Sequence, residues 1–195
     1  MPRMIQALLK TAVLLFACFC VTAAEFPVGS KLQDIRVTES GSVVKLAPGN
    51  APATVVLFLS TRCPISNGYI DRLNAIYRDY HEKQVQFVFV NANNNESAAD
   101  IEAHARANQL AFKVYKDVNN VLADQLNATV TPEAFVFDKQ GTLQYHGYVD
   151  DATNAARVRV NGLRNAMDAV LAGQPVQVKE SKAFGCTIKK VRKVS

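Results

Sequence analysis

The chain has 195 residues, with 22 basic and 17 acidic side chains, a net charge of +5 and four cysteines. That length suits one domain. The basic excess is gathered at the two ends, which excludes a uniformly basic nucleic-acid surface, and the cysteines are too few for a disulfide scaffold.

The N-terminus reads as a leader. Arg3 and Lys10 precede an apolar run over 12–21, and Thr22-Ala23-Ala24 follows before Glu25. A basic start, a short apolar core and small residues at the exit describe a secretory signal peptide over 1–24. The run falls short of the roughly 20 residues that a membrane-spanning helix needs, so no stable membrane insertion is expected after removal. A lipid anchor on Cys18 is a variant of this reading, opposed by the bulky Phe16. Loss of Arg3 and Lys10 lowers the net charge from +5 to +3. The expected mature chain is a domain over 25–178 followed by a basic tail over 179–195 that carries Cys186. Cys63 and Cys186 are its two thiols, in a compartment where disulfides persist.

In chain order, residues 35–37 and 43–46 flank the turn Glu39-Ser40-Gly41-Ser42 and predict a short hairpin. Residues 54–59 are apolar on both faces, as in a strand covered by helices. Ser60-Thr61-Arg62-Cys63-Pro64 comes next, and apolar spacings of three and four predict a helix to about residue 81. Residues 85–90 read as a second buried strand. Ser97 and Asp100 form a capping pair for a helix to about residue 108. A short helix over 117–126, a strand over 133–137, a turn at 138–141 and a more exposed strand over 142–149 follow. A last helix spans 154–172 and stops at Gly173. Two early strands joined by a helix must be parallel, and the late hairpin must be antiparallel. The expected architecture is one α/β domain in three layers, a mixed central sheet with helices on both faces.

The chemistry centres on Cys63. It sits at the cap of the first long helix, with Pro64 at the first helical position. Free amides and the positive helix end favour an anion there, and a thiolate is such an anion. Arg62 adds a nearby positive charge. His81, His104 and His146 have no metal-ligand spacing and read as surface groups. Asp150-Asp151 reads as a solvated turn and helix cap.

Phe58-Leu59-Ser60-Thr61-Arg62-Cys63-Pro64-Ile65-Ser66 resembles the active-site loop of thioredoxin-like redoxins of the alkyl hydroperoxide reductase and thiol-specific antioxidant type. Thr129-Val130-Thr131-Pro132-Glu133-Ala134-Phe135-Val136-Phe137 is similar to the segment that carries their cis-proline. Lys182-Ala183-Phe184-Gly185-Cys186-Thr187-Ile188 is similar to the Gly-Cys ending of bacterial exported redoxins with a Cys-Pro-Ile-Ser loop. The resemblance spans about residues 26–173. It implies a thioredoxin-like fold, a cis bond before Pro132, and a Thr131 backbone that can pair with a bound peptide or thiol partner. Two departures stand out. Ser66 occupies the place of a second local cysteine, so another thiol must resolve a mixed disulfide at Cys63. Peroxiredoxins carry Pro seven places before their cysteine and Thr or Ser three before it; here Val56 and Ser60 stand there.

The resemblance implies an exported thiol–disulfide oxidoreductase, periplasmic or extracellular, with Cys63 as nucleophile. Thr131, Pro132, Arg62, Ser60 and Ser66 would surround its substrate. Cys186 is read as a resolving thiol on a flexible tail; a permanent staple to Cys63 and pairing with another chain remain open. The partners implied are protein thiols or disulfides, or a small peroxide, with an external reductant or oxidant and no organic cofactor or metal. A thiol peroxidase is the nearest alternative. A non-catalytic binding module or Cu(I) carrier using the two thiolates is another.

Overall fold

The computed structural model describes residues 26–192. The expected leader over 1–24, with Cys18 and Cys20, lies outside the described residues.

The domain is a three-layer α/β structure. β1 (Ile35–Glu39) and β2 (Ser42–Leu46) form the first hairpin, with Ser40 and Gly41 at positive φ in its turn. β3 (Ala53–Phe58) is buried along its whole length, because helices cover both of its faces. Two helices follow it: a single turn, α1 (Pro64–Asn67), and α2 (Ile70–His81). The one continuous helix expected here is broken at Gly68 and Tyr69, where Tyr69 drops into the core. β4 (Gln86–Asn91) lies parallel to β3, with Val56 opposite Val88. α3 (Ala98–Ala107) starts with the expected capping box between Ser97 and Asp100.

β5 (Val114–Lys116), absent from the sequence reading, pairs parallel to β4 and joins the first hairpin to the sheet. A turn of 3-10 helix and α4 (Val121–Gln125) occupy the region of the expected short helix. β6 (Val130–Thr131) is a two-residue strand outside the main sheet. β7 (Glu133–Asp138) pairs antiparallel with β3, and β8 (Leu143–Gly147) closes the sheet by pairing antiparallel with β7. The strand order is β2-β1-β5-β4-β3-β7-β8.

The last helix, α5 (Gly162–Leu171), starts later than residue 154. Asp151 explains the delay. Its carboxylate accepts the Arg159 amide at 2.8 Å and its own amide donates to the Val160 carbonyl at 3.1 Å, which keeps 158–160 out of the helix. The tail differs more. It is docked, and β9 (Cys186–Thr187) pairs antiparallel with β6.

Side-chain alternation splits the core in two. Val55, Leu57, Phe89 and Val136 point to one face, where Tyr69, Leu73, Tyr80 and Met167 of the helices meet them. Val56, Phe58, Val88, Val90, Phe135 and Phe137 point to the other, against Leu122, Leu126 and Ile188. A two-residue period along three adjacent strands produces this separation. It leaves the C-terminal end of β3 free to open into the loop that bears Cys63.

Candidate functional site

The loop 59–63 runs from the end of β3 to the start of α1. Cys63 caps α1 with extended backbone, and its sulfur accepts the Ser66 amide at 3.3 Å. Pro64 follows at the first helical position, as expected. The thiol is 1 % exposed and donates to the Thr131 carbonyl at 3.2 Å. The Thr131–Pro132 peptide is cis. Cys63 and Thr131 are thus brought together across 68 residues.

Cys186 completes the group. In the β6–β9 ladder it stands opposite Thr131, and the Thr131 hydroxyl donates to the Cys186 carbonyl at 3.4 Å. Its thiol lies within hydrogen-bond reach of the Cys63 sulfur, and both cysteines are free. Burial opposes ionisation of Cys63. Hydrogen bonds from the Cys186 thiol and then from the Ser66 amide lead the effects that outweigh it and hold the Cys63 thiol below the ordinary value of 9.0. Cys186 is pushed the other way, chiefly by the same hydrogen bond to Cys63. The shared contact thus moves the two thiols in opposite directions, Cys63 down and Cys186 up.

Ser60, Ser66 and Arg62 surround the loop without directing their side chains to the sulfur. The Ser60 hydroxyl donates to Glu96 at 2.6 Å and accepts the Arg62 amide at 3.2 Å. Ser66 accepts the Ser60 amide on its hydroxyl at 3.2 Å, so its backbone, not its side chain, serves the Cys63 sulfur. The Arg62 guanidinium is 60 % exposed and faces Asp100 at 3.7 Å.

Two buried carboxylates had no counterpart in the sequence reading. Glu96, 2 % exposed, accepts the Ser60 hydroxyl, the Thr61 amide and hydroxyl (both at 2.7 Å), and the Asn91 side-chain amide at 2.6 Å. Burial would raise its carboxyl, but these donors hold it below the usual value. Glu133, 3 % exposed, accepts the Thr129 and Val130 amides at 2.7 and 3.1 Å and pairs with His146 at 2.6 Å. The first fixes the cysteine loop; the second fixes the segment that precedes Pro132. The visible signal for Glu96 was an acid within the polar run 91–96, directly after a fully apolar strand.

The same contacts correct two expectations. His146 is stacked on Phe135 and paired with Glu133, and the His104 ring is bonded to Asn67 at 3.0 Å, so neither is a free surface group. Asp150 is not a solvated cap. It is 3 % exposed, pairs with Arg72 at 2.6 Å and accepts the Tyr69 hydroxyl at 3.0 Å.

A small cavity beside the loop is lined by Leu59, Ser66, Asn67, Asn91, His104 and Val114. Among the described residues, no helix is long and apolar enough to cross a membrane.

Comparison with known proteins places this geometry. A crystal structure of a hypothetical protein from Sinorhizobium meliloti 1021 is 29 % identical, with a TM-score of 0.77 over 86 % of this chain and 97 % of that one. An uncharacterized conserved protein from Geobacillus kaustophilus is likewise 29 % identical, with a TM-score of 0.78 over 87 % and 95 %. A provisionally assigned thiol:disulfide interchange protein DsbE from Chlorobium tepidum, 19 % identical, shares the fold at a TM-score of 0.63 over 75 % and 99 %. No curated protein matches the sequence. The AhpC/TSA family profile matches residues 28–146, and with the thioredoxin-like sheet around Cys63 and Pro132 this shows that the chain belongs to the AhpC/TSA family.

Proposed function

We propose that the protein is an exported thiol–disulfide oxidoreductase in which Cys63 is the nucleophile and Cys186 resolves the intermediate. One observation carries the reading: the β6–β9 ladder sets the Cys186 thiol beside a Cys63 sulfur that is biased toward the thiolate. In the reductive direction the Cys63 thiolate attacks one sulfur of a partner disulfide. The partner S–S bond breaks, its other sulfur leaves as a thiolate, and a Cys63–partner disulfide forms. Cys186 then loses its proton and attacks the Cys63 sulfur. The partner leaves as a second thiolate, and a Cys63–Cys186 disulfide remains for an external dithiol to reduce. The oxidative direction is the same sequence reversed.

Ser66 makes the distant thiol necessary, because no second cysteine follows Cys63 within the loop. The DsbE assignment of the Chlorobium tepidum relative is consistent with this class of chemistry, and the basic-apolar leader over 1–24 favours export. The peroxidase alternative has less support. Val56 replaces the expected proline, the Ser60 hydroxyl is committed to Glu96, and Arg62 faces Asp100.

Oxidation by a low-molecular-weight disulfide followed by mass mapping tests the proposal. The expected product is an intramolecular Cys63–Cys186 bridge, with Cys186→Ser trapping the mixed disulfide at Cys63. Finding Cys63 unmodified after such treatment would remove the reading. A sulfenate adduct formed with peroxide at comparable speed would move it to the peroxidase class.

A further inference from the structure

The tail lies where a partner strand would lie. Residues 179–191 are tied down at intervals: the Lys179 carbonyl and Ser181 amide to His146, the Ile188 amide to the Thr129 carbonyl, and the Lys189 amide to Asn93 at 2.7 Å. Between these ties, Cys186 and Thr187 supply a two-residue strand to β6, with Cys186 opposite Thr131 and Thr187 opposite Val130. Gly185 crosses the Thr131 carbonyl so closely that a Cβ there would sit 2.0 Å from its oxygen. Only glycine passes. Two residues beyond the cysteine, Ile188 is buried among Phe58, Leu126 and Ala128 of the second core face. Gly185 and Thr187 are themselves exposed, so the tail between its ties is shallowly held.

The resemblance already implies that a partner pairs with the Thr131 backbone; we propose that residues 185–188 are a built-in copy of that partner segment, which competes with it for the edge of β6. The ligand class is an extended segment of a partner protein that presents a cysteine disulfide, with glycine before the cysteine and a branched apolar residue two places after it. This deepens, and rests on, the reading of Cys63 as nucleophile. Main-chain pairing to β6 supplies affinity, and the Thr131 carbonyl and the Ile188 pocket supply selectivity. A partner cysteine held opposite Thr131 has its sulfur where Cys186 now meets Cys63. The tail must lift for the partner strand to enter. Its return presents Cys186 to the mixed disulfide, so a single edge serves substrate and resolving thiol in turn.

The test uses the full chain carrying Cys186→Ser, so that the tail docks without reacting. Two probes are the peptides Ala-Phe-Gly-Cys-Thr-Ile-Lys and Ala-Phe-Val-Cys-Thr-Ile-Lys, each with its cysteine activated as a thionitrobenzoate disulfide. Cys63 attacks the peptide sulfur, thionitrobenzoate leaves, and the adduct is mapped by mass. The glycine peptide should label Cys63 about tenfold or more faster than the valine peptide, the scale of a steric misfit in a formed site. Adding Gly185→Val to the protein, or Ile188→Asn should the first variant fail to fold, removes the competing tail and should speed the glycine peptide further. Equal rates for the two peptides would overturn the tail as a copy of the ligand. If a small aromatic disulfide still labels Cys63 in that case, the nucleophile reading survives alone; if it does not, both readings fall.

Discussion

The Glu96 carboxylate receives the Ser60 hydroxyl at 2.6 Å, which links the start of α3 to the turn that carries Cys63. Three further donors, from Thr61 and Asn91, converge on its second oxygen at 2.6 to 2.7 Å. Only the ionised carboxylate accepts on both oxygens without turning a donor toward either set of partners.

The Glu96→Gln substitution therefore turns a donor toward Ser60 or toward the Thr61 and Asn91 groups. The expected destabilisation at neutral pH is about 2–3 kcal/mol, the scale for a buried hydrogen bond made to a charge and then lost. The sign with pH follows from the lowered carboxyl. Its contribution is complete above the unfolded value of 4.5 and is lost as the pH falls through the folded value. Urea denaturation of both proteins, near neutrality and again near pH 3, should show the gap narrowing in acid. A gap of constant size would mean that the carboxylate's charge contributes nothing.

Removing a thiol should move its neighbour. Burial pushes Cys63 up, and the Cys186 thiol is the largest of the effects that bring it down. The Cys186→Ser substitution replaces that thiol with a harder, shorter donor at a different distance. The Cys63→Ser substitution removes the main cause that raises Cys186. Alkylation rates mapped by mass against pH should give a midpoint below 9.0 for Cys63 in the native chain. The midpoint should shift upward in Cys186→Ala, where no donor remains. For Cys186 it should lie above 9.0 and fall in Cys63→Ser. Independent titrations in both variants would contradict the contact.

Much of the fold was legible because it is written in short-range periodicity. The alternation in β3, β4 and β7 and the Ser97–Asp100 cap of α3 lie within single windows of sequence. Cys63, Pro64 and Thr131-Pro132 were legible through local chemistry and resemblance. What escaped depends on distant partners. β6 and β9 have two residues each and exist only because residues 55 apart pair, so no local pattern marks them. Glu96 looks like any loop acid until Ser60 and Thr61, 36 and 35 residues earlier, are placed against it. Asp150 looked solvated for the same reason, since Arg72 and Tyr69 reach it from about 80 residues away.

Glu133 offers a sharper contrast between two substitutions. One of its oxygens accepts both the Thr129 and Val130 amides, while the other meets His146. Glutamine can keep its carbonyl on the two amides and turn its NH2 to the imidazole in the accepting tautomer. Glu133→Gln should therefore change stability by no more than about 1 kcal/mol, whereas Glu133→Ala strands two part-buried amides and should destabilise by about 2–4 kcal/mol. Thermal melts of the two variants decide it. Equal losses would show that the carboxylate's charge, and not the grip on the segment before Pro132, is what Glu133 contributes.

Arg72 ties the break between α1 and α2 to the loop after β8. Its guanidinium reaches Asp150 at 2.6 Å and the carbonyls of Ala152 and Thr153 at 2.9 and 2.6 Å, and it stacks 3.9 Å over the Tyr69 ring. Asp150→Ala leaves Arg72 facing only carbonyls and leaves the Tyr69 hydroxyl without its carboxylate, so the expected loss is about 3–5 kcal/mol, as for a buried pair broken from one side. Removing both partners in Arg72→Met with Asp150→Asn should lose less than the sum of the single changes, because no unpaired charge then remains. Urea titrations of the four proteins complete the cycle. The pair touches neither sulfur, so the pH midpoint of Cys63 alkylation should stay where it is in the native chain. A shift of that midpoint in the folded double variant would mean that the Arg72–Asp150 clamp sets the electrostatics of the thiol as well as the seat of its helix.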